Sequence, residues 1–204
     1  MALAGKKASI YMASGESVAF TDEAMVADAN RIVYTIGNAL KAYWDPEAPV
    51  TVEVDGETAN PATYSVAYAG GRIRFHEAQA SGAVVTVSGK AFPTISQIGQ
   101  GRSWEIALNV DTEETTVFGD DWKTYQALLN GGTVRLERFA VDLFFIEELF
   151  RPLYLLLYVS EDTEPRLECI GRLTSDSIQA ATRGLIGETV EFIIDGEPNL
   201  VEAS

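Results

Sequence analysis

The sequence predicts a mostly β fold of α+β type: a two-sheet β-sandwich or partly open barrel flanked by one α-helix, with an extended N-terminal arm and a long loop. Three observations carry that reading. Apolar residues recur with a period of two in several segments, as at Val50, Val52 and Val54, which is the spacing of half-buried strands. Glycine-bearing turns such as Asp55-Gly56 and Asp195-Gly196 punctuate the pattern, in keeping with hairpin chemistry. Only the segment from about Asp121 to Asn130 combines a helical apolar stripe with a cap at each end.

Taken in order, residues 1–20 hold Gly5, Gly15 and small polar residues and read as an extended arm. Thr21-Asp22-Glu23 suits a helix start, the Thr21 hydroxyl accepting an early N–H and the acids favouring the dipole, so a helix is expected to about Ala29. Ile32–Ile36 reads as a strand from its β-branched and aromatic content. Beyond Pro49 comes a meander: Val50–Val54, the Asp55-Gly56 turn, Tyr64–Tyr68, the Gly70-Gly71 turn, Ile73 and Phe75, then Val84–Val87. The stretch 93–101, rich in Gly, Ser and Gln, is expected to be a loop. Trp104, Ile106, Leu108 and Val110 then alternate with Glu105, Asn109 and Asp111, a long amphipathic strand. For the helix over 121–130, Asp120 is the natural N-cap, Trp122, Tyr125, Leu128 and Leu129 form the stripe, and Gly131 supplies the stop. Trp122 and Tyr125 are expected as its core anchors, and removing a buried Trp122 side chain costs about 3–5 kcal/mol. Strands return over 133–141, 152–160, 167–174 and 188–194, with 143–150 a short helix or a covered loop. One β domain over 21–204 is expected, residues 21–90 standing as a distinct meander or insertion within it.

The 204 residues include 15 basic and 30 acidic ones, a formal charge of −15. Such a surface repels phosphate backbones and anionic membranes, yet it suits a duct through which DNA slides. At 47% hydrophobic residues the chain has ample material for a core. The lone Cys169, in Leu167-Glu168-Cys169-Ile170-Gly171, reads as a small buried apolar residue rather than a reactive thiol. The opening residues lack the apolar stretch of a signal peptide, and the most apolar run, Leu153–Val159, falls well short of the ~20 residues that span a bilayer. A soluble protein made in a reducing cytoplasm is expected.

The residues offer little for catalysis. With one histidine and one cysteine a zinc site is all but excluded, and Ser/His/Asp or Cys/His catalysis would have to use His76. His76 alternates outward with Arg72 and Arg74 as a solvated strand residue. Glu113-Glu114, Asp120-Asp121 and Glu147-Glu148 read as a turn, a cap and a solvated face rather than glycosidase pairs. Gly70-Gly71 and Gly131-Gly132 lack the flanking residues of a phosphate loop. No catalytic, cofactor-binding or metal-binding residue is therefore expected, and the chain is read as working by assembly or binding.

The stretch Trp104-Glu105-Ile106-Ala107-Leu108-Asn109-Val110-Asp111-Thr112-Glu113-Glu114-Thr115-Thr116-Val117-Phe118-Gly119-Asp120-Asp121-Trp122 resembles the major tail tube proteins of long-tailed bacteriophages. There a strand ends in an Asp/Thr-rich segment, then a Phe-Gly-Asp turn, then a Trp-bearing helix. Leu129-Asn130-Gly131-Gly132-Thr133-Val134-Arg135-Leu136, the apolar strand 153–159, Cys169-Ile170-Gly171-Arg172-Leu173-Thr174-Ser175-Asp176-Ser177-Ile178 and the closing Asp195-Gly196 continue the resemblance over about residues 85–204. The Lys-bearing N-terminal arm shares it more loosely, while residues 21–90 are not mapped onto the tube core and stand either as part of the tube sandwich or as an outward decoration. The resemblance implies six copies in a ring, and rings stacked into a hollow tube of the virion. A tape-measure protein fills the lumen during assembly, tail-tip and terminator proteins close the ends, and DNA later passes without specific binding. Segments 1–20 and 93–101 are then natural stacking elements, and Glu105, Asp111 and Glu113, on the polar face of the long strand, would line the lumen. Another virion component (a tail terminator or decoration protein) and a carbohydrate-binding β-sandwich module stay open as alternatives.

Overall fold

The computed structural model describes residues 9–99, 101–117, 121–140, 144–159, 165–179 and 185–202. The fold is mostly β, as the alternating pattern predicts. Its elements are β1 (Ser9–Ser14), β2 (Val18–Ala27), β3 (Val33–Ile36), β4 (Thr51–Val54), β5 (Glu57–Thr58), β6 (Tyr64–Ala67), β7 (Arg72–Phe75), β8 (Val85–Ala91), β9 (Thr94–Gln97), β10 (Gly101–Glu114), β11 (Tyr125–Phe139), α1 (Phe144–Glu147), β12 (Pro152–Tyr158), β13 (Arg166–Gln179), β14 (Gly187–Ile194) and β15 (Asn199–Val201). The strands belong to two sheets, and the chain divides into two compact units. The first unit comprises residues 1–99, 152–170 and 196–204; the second comprises 100–151 and 171–195.

In the first unit a seven-stranded sheet runs in the order β5-β4-β8-β2-β3-β7-β6. Its pairings are antiparallel, and the meander read from the sequence is present strand by strand. Asp55 and Gly56 both take positive φ, 53° and 83°, the geometry a two-residue hairpin needs to match strand twist. Inward residues Tyr34, Val52, Ile73, Phe75 and Val87 form the core with Trp44 and Phe20. Burial of side chains of this size contributes about 1.5–3 kcal/mol each, so alternation alone specifies which face turns in.

The helix expected over residues 21–29 is absent. That segment is β2, paired with β8 on one edge and β3 on the other. Two ladders satisfy its backbone groups, which outweighs the local preference of Thr21-Asp22-Glu23 for a helix start. The helix-like acids fall where β2 is irregular, between Phe20 and Glu23. There Asp22 adopts φ 52°, and its N–H donates to Ser88 Oγ at 3.0 Å.

The remaining strands of this unit pair in the order β9-β1-β12, and β15 pairs with the start of β13. The described part of the expected arm is extended, but it is built into the fold. Tyr11 lies opposite Leu156 on one side and Gln97 on the other, and Ile10 is buried. Likewise the expected loop over 93–101 contains β9, whose only half-buried apolar residue is Ile95. An edge strand that buries so little leaves no periodic signature in sequence. Tyr154, Leu155, Leu156 and Leu157 of β12 are all buried, the continuous apolar run of a strand covered on both faces.

Beneath β12 sits a buried polar network. Tyr154 Oη accepts the Gly70 N–H at 2.7 Å and donates to Glu168 Oε2 at 3.1 Å. Asn199 Nδ2 donates to the same oxygen at 3.1 Å, and Arg166 Nε to Oε1 at 2.8 Å. Glu168 is thus buried as a fully partnered carboxylate. Cys169 beside it is buried, and desolvation together with the Glu168 charge pushes its thiol up to about 12, in line with the inert structural thiol expected.

In the second unit β10-β11-β14 and residues 171–179 of β13 pair in that order. Val134, Leu136, Leu173, Val190 and Phe192 are buried, and Phe145 of α1 stacks edge-on against Phe192 with centroids 5.9 Å apart. The short helix allowed for within 143–150 is therefore α1. The helix expected over 121–130 is not formed. Residues 121–124 lead straight into β11, and Asp120, its expected cap, lies outside the described residues, as does the Phe118-Gly119 turn. The apolar residues at three- and four-residue spacing fit a helix, but β10 presents a ready ladder: Glu114 pairs with Tyr125, Glu113 with Gln126 and Thr112 with Ala127.

Candidate assembly surface

The feature that stands out among the described residues is the β10–β11 hairpin. Its base is an ordinary half-buried sheet. Trp104 pairs with Leu136 and Ile106 with Val134, and the inward side chains are buried or half-buried. The apolar stripe on β10 then outruns the core: Leu108 is 61% exposed and Val110 50% exposed. Across the ladder Tyr125, Leu128 and Leu129 are exposed too, and Trp122, just before β11, is 85% exposed. Trp122 and Tyr125 are thus not core anchors of a helix but exposed aromatics toward the distal end of a hairpin. Among the described residues no second layer reaches this far along the strands to bury these side chains.

The hairpin is nevertheless well formed. The Thr115 N–H donates to Thr124 O at 2.8 Å, the Thr124 N–H donates to Thr116 Oγ1 at 3.1 Å, and Lys123 bridges to Glu114 at 2.8 Å. The ladder shifts register between Val110 and Thr112, so residues 128 and 129 together oppose Asp111, a bulge that sharpens local twist. Gly132 lies inside the strand rather than in a turn. A Cβ there would fall 2.8 Å from Leu108 Cδ2, 2.9 Å from Ile194 Cδ1 and 3.0 Å from the Ala107 carbonyl oxygen. Of the glycine pair read as a helix stop and turn, Gly132 is instead what lets β10 and β14 close on β11.

Glu105, Asp111 and Glu113 all lie on β10, and all three are exposed. Glu105 sits opposite Arg135, which in turn sits opposite Glu191; Arg135 reaches Glu191 and Glu137 at 3.8 Å. Glu105, Ala107, Thr133, Arg135, Thr174 and Glu191 line a shallow depression of about 270 Å³ on that face. The base of the polar face is therefore mixed in sign, and its acids become unopposed only toward Asp111 and Glu113. Among the described residues no group of three His, Cys, Asp or Glu side chains is placed to hold a metal ion, and no helix is long and apolar enough to cross a membrane. His76 is exposed.

No protein-family model matches the sequence. Comparison with curated proteins returns no match. Among solved structures, one similar chain belongs to the virion of a native gene transfer agent particle, with 13% identity, a TM-score of 0.43, and coverage of 52% of this chain and 88% of that one. Another belongs to the tail of an empty particle of that kind, refined helically with C6 symmetry, with 12% identity, a TM-score of 0.43, and coverage of 52% and 86%.

Proposed function

We propose that this chain is a structural virion protein that self-assembles into stacked rings, six copies to a ring, forming the hollow tail tube of a phage-like particle. The observation that supports self-assembly is the distal β10–β11 hairpin, where Leu108, Val110, Trp122, Tyr125, Leu128 and Leu129 are all exposed on a hairpin held by its own hydrogen bonds. Single exposed apolar residues on a surface are ordinary, but six on one hairpin, spread over both of its faces, suit a surface that partner copies cover. The outer edge of β10 adds a second reason: fourteen residues of strand stand at the end of a sheet with no partner strand beyond them among the described residues, a row of backbone groups that proteins cover by pairing or closure.

In this reading the subunit works without catalysis or cofactor. It contacts copies of itself, the tape-measure protein in the lumen, and tail-tip and terminator proteins at the ends. DNA passes the lumen unbound, and the protein is made in the host cytoplasm before joining the virion. Glu105, Asp111 and Glu113 face the lumen, where carboxylates repel phosphates and keep DNA moving.

The first test is negative-stain electron microscopy of the concentrated protein. Hollow tubes with a regular axial repeat are expected. Isolated rings alone would replace the tube with a terminator role. Persistent monomers that bind glycans would replace it with a carbohydrate-binding module. Reversing the charge at Glu105, Asp111 and Glu113 together should leave tube assembly intact and slow DNA ejection; unchanged ejection kinetics would remove these residues from the lumen.

A further inference from the structure

The inward face of the second unit carries three ionisable side chains for which assembly has no use. Arg138 on β11 and Glu188 on β14 sit directly opposite one another, are 3% and 2% exposed, and pair through Arg138 Nε and Glu188 Oε2. The guanidinium lies 4.6 Å from the centroid of Phe145, so α1 covers the pair. Asp176 on β13 lies opposite Val190, two residues along β14 from Glu188, and its carboxyl group is within hydrogen-bonding reach of Glu188. Glu188 Oε1 and both Asp176 carboxyl oxygens are closed off from solvent, and among the described residues no donor reaches any of the three.

Buried acceptors without donors are costly. Two carboxylates facing one guanidinium would also leave a net negative charge in a low-dielectric site. A single proton removes both problems. Placed on Asp176, it gives an O–H that donates to Glu188 Oε1, while Glu188 Oε2 keeps its pairing with Arg138. We propose that Asp176 and Glu188 share one proton beside Arg138, a proton-dependent clasp joining β11, β13 and β14 of this unit. It stands apart from the proposed assembly role and does not depend on it.

Among the described residues, the groups that face Asp176 are few. Glu188 faces it from β14 and Arg138 from β11. Its own strand adds the uncharged Ile178, which lies opposite Glu188, and α1 adds Phe145, while Glu147 of α1 is exposed. Desolvation first, and Glu188 second, raise the Asp176 pKa above its ordinary 3.8, with Arg138 opposing. A raised folded pKa means that the clasp's contribution is complete below about 3.8 and is lost as pH rises through the raised value.

Asp176→Asn replaces the O–H by a permanent amide donor. Thermal unfolding of the full-length wild type and D176N across roughly pH 4 to 8 spans the ordinary carboxylate range and neutrality, and other acid effects cancel in the difference. D176N is expected to match wild type at the acid end and to gain on it as pH rises. The gain in folding constant is about tenfold for each unit by which the Asp176 pKa is raised. A difference that stays constant with pH, or a wild type that gains on D176N, overturns the proposal. Should D176N fail to fold, carbon-13 NMR titration of the wild-type carboxyls decides: an Asp176 midpoint above the ordinary carboxylate range supports the shared proton, and one within or below it overturns it.

Discussion

Tyr154 shows how much one side chain carries in this fold. Its hydroxyl is both acceptor for Gly70 and donor to Glu168, joining the turn between β6 and β7 to the buried carboxylate on β13. Tyr154→Phe keeps the ring and its T-shaped contact with Tyr43 but leaves a buried N–H and one carboxylate site unpaired. A loss of about 1–3 kcal/mol is expected, read from urea unfolding; a loss under half a kcal/mol would show that water replaces the hydroxyl. Gly132 is the second such residue. Gly132→Ala puts a methyl against Leu108, Ile194 and a backbone carbonyl, and about 1–3 kcal/mol of overpacking cost is expected, again measurable by urea unfolding. Both residues were visible in the sequence, Tyr154 as one of an apolar run and Gly132 as a glycine pair. Their partners were not, since Gly70 and Glu168 lie 84 and 14 residues from Tyr154 and no local pattern links them.

At the scale of the element, the β10–β11 hairpin decides the functional reading. If its distal residues serve contacts between copies, their truncation should spare the fold. Trp122→Ala with Leu129→Ser is expected to leave thermal unfolding of the monomer nearly unchanged, each substitution staying within about 0.5 kcal/mol as exposed positions do. The same variant should raise the concentration needed for assembly, as sedimentation velocity would show. A drop of several kcal/mol would instead place Trp122 in a core, as the helical reading required. The strand residues of β10 were legible from alternation. The conversion of 121–130 from helix to strand was not, because a stripe at helical spacing followed by glycine satisfies the local rules for a helix, whereas the competing ladder to Glu113 and Glu114 is a property of the pair.

For the whole molecule, net charge sets the terms of association. At −15 copies repel at long range, while the apolar hairpin attracts only on contact. Raising the salt to about 0.15 M shortens the screening length to ~8 Å, so assembly should begin at a lower protein concentration than in low salt. Light scattering against ionic strength checks this. Assembly that weakens with salt would point to charge pairing, rather than apolar contact, as its basis.

What the sequence by itself determined is the class of fold and the inward face of most strands. Alternation at β4, β6, β7, β10 and β14 encodes them directly, and the turn at Asp55-Gly56 encodes its own geometry. Tertiary structure alone decided the segments whose local signals are weak or shared between states. These are β1, which is held between the ladders of β12 and β9; β9, which buries little; β2, whose helix-like acids fall at an irregularity; and β11, drawn into a hairpin by β10. It alone also brought Asp176, Glu188 and Arg138 together from three strands. The reason is common to all of them: a side chain's spacing along the chain is local information, whereas a backbone hydrogen bond, a buried charge and a covered face each need a partner that folding brings from elsewhere.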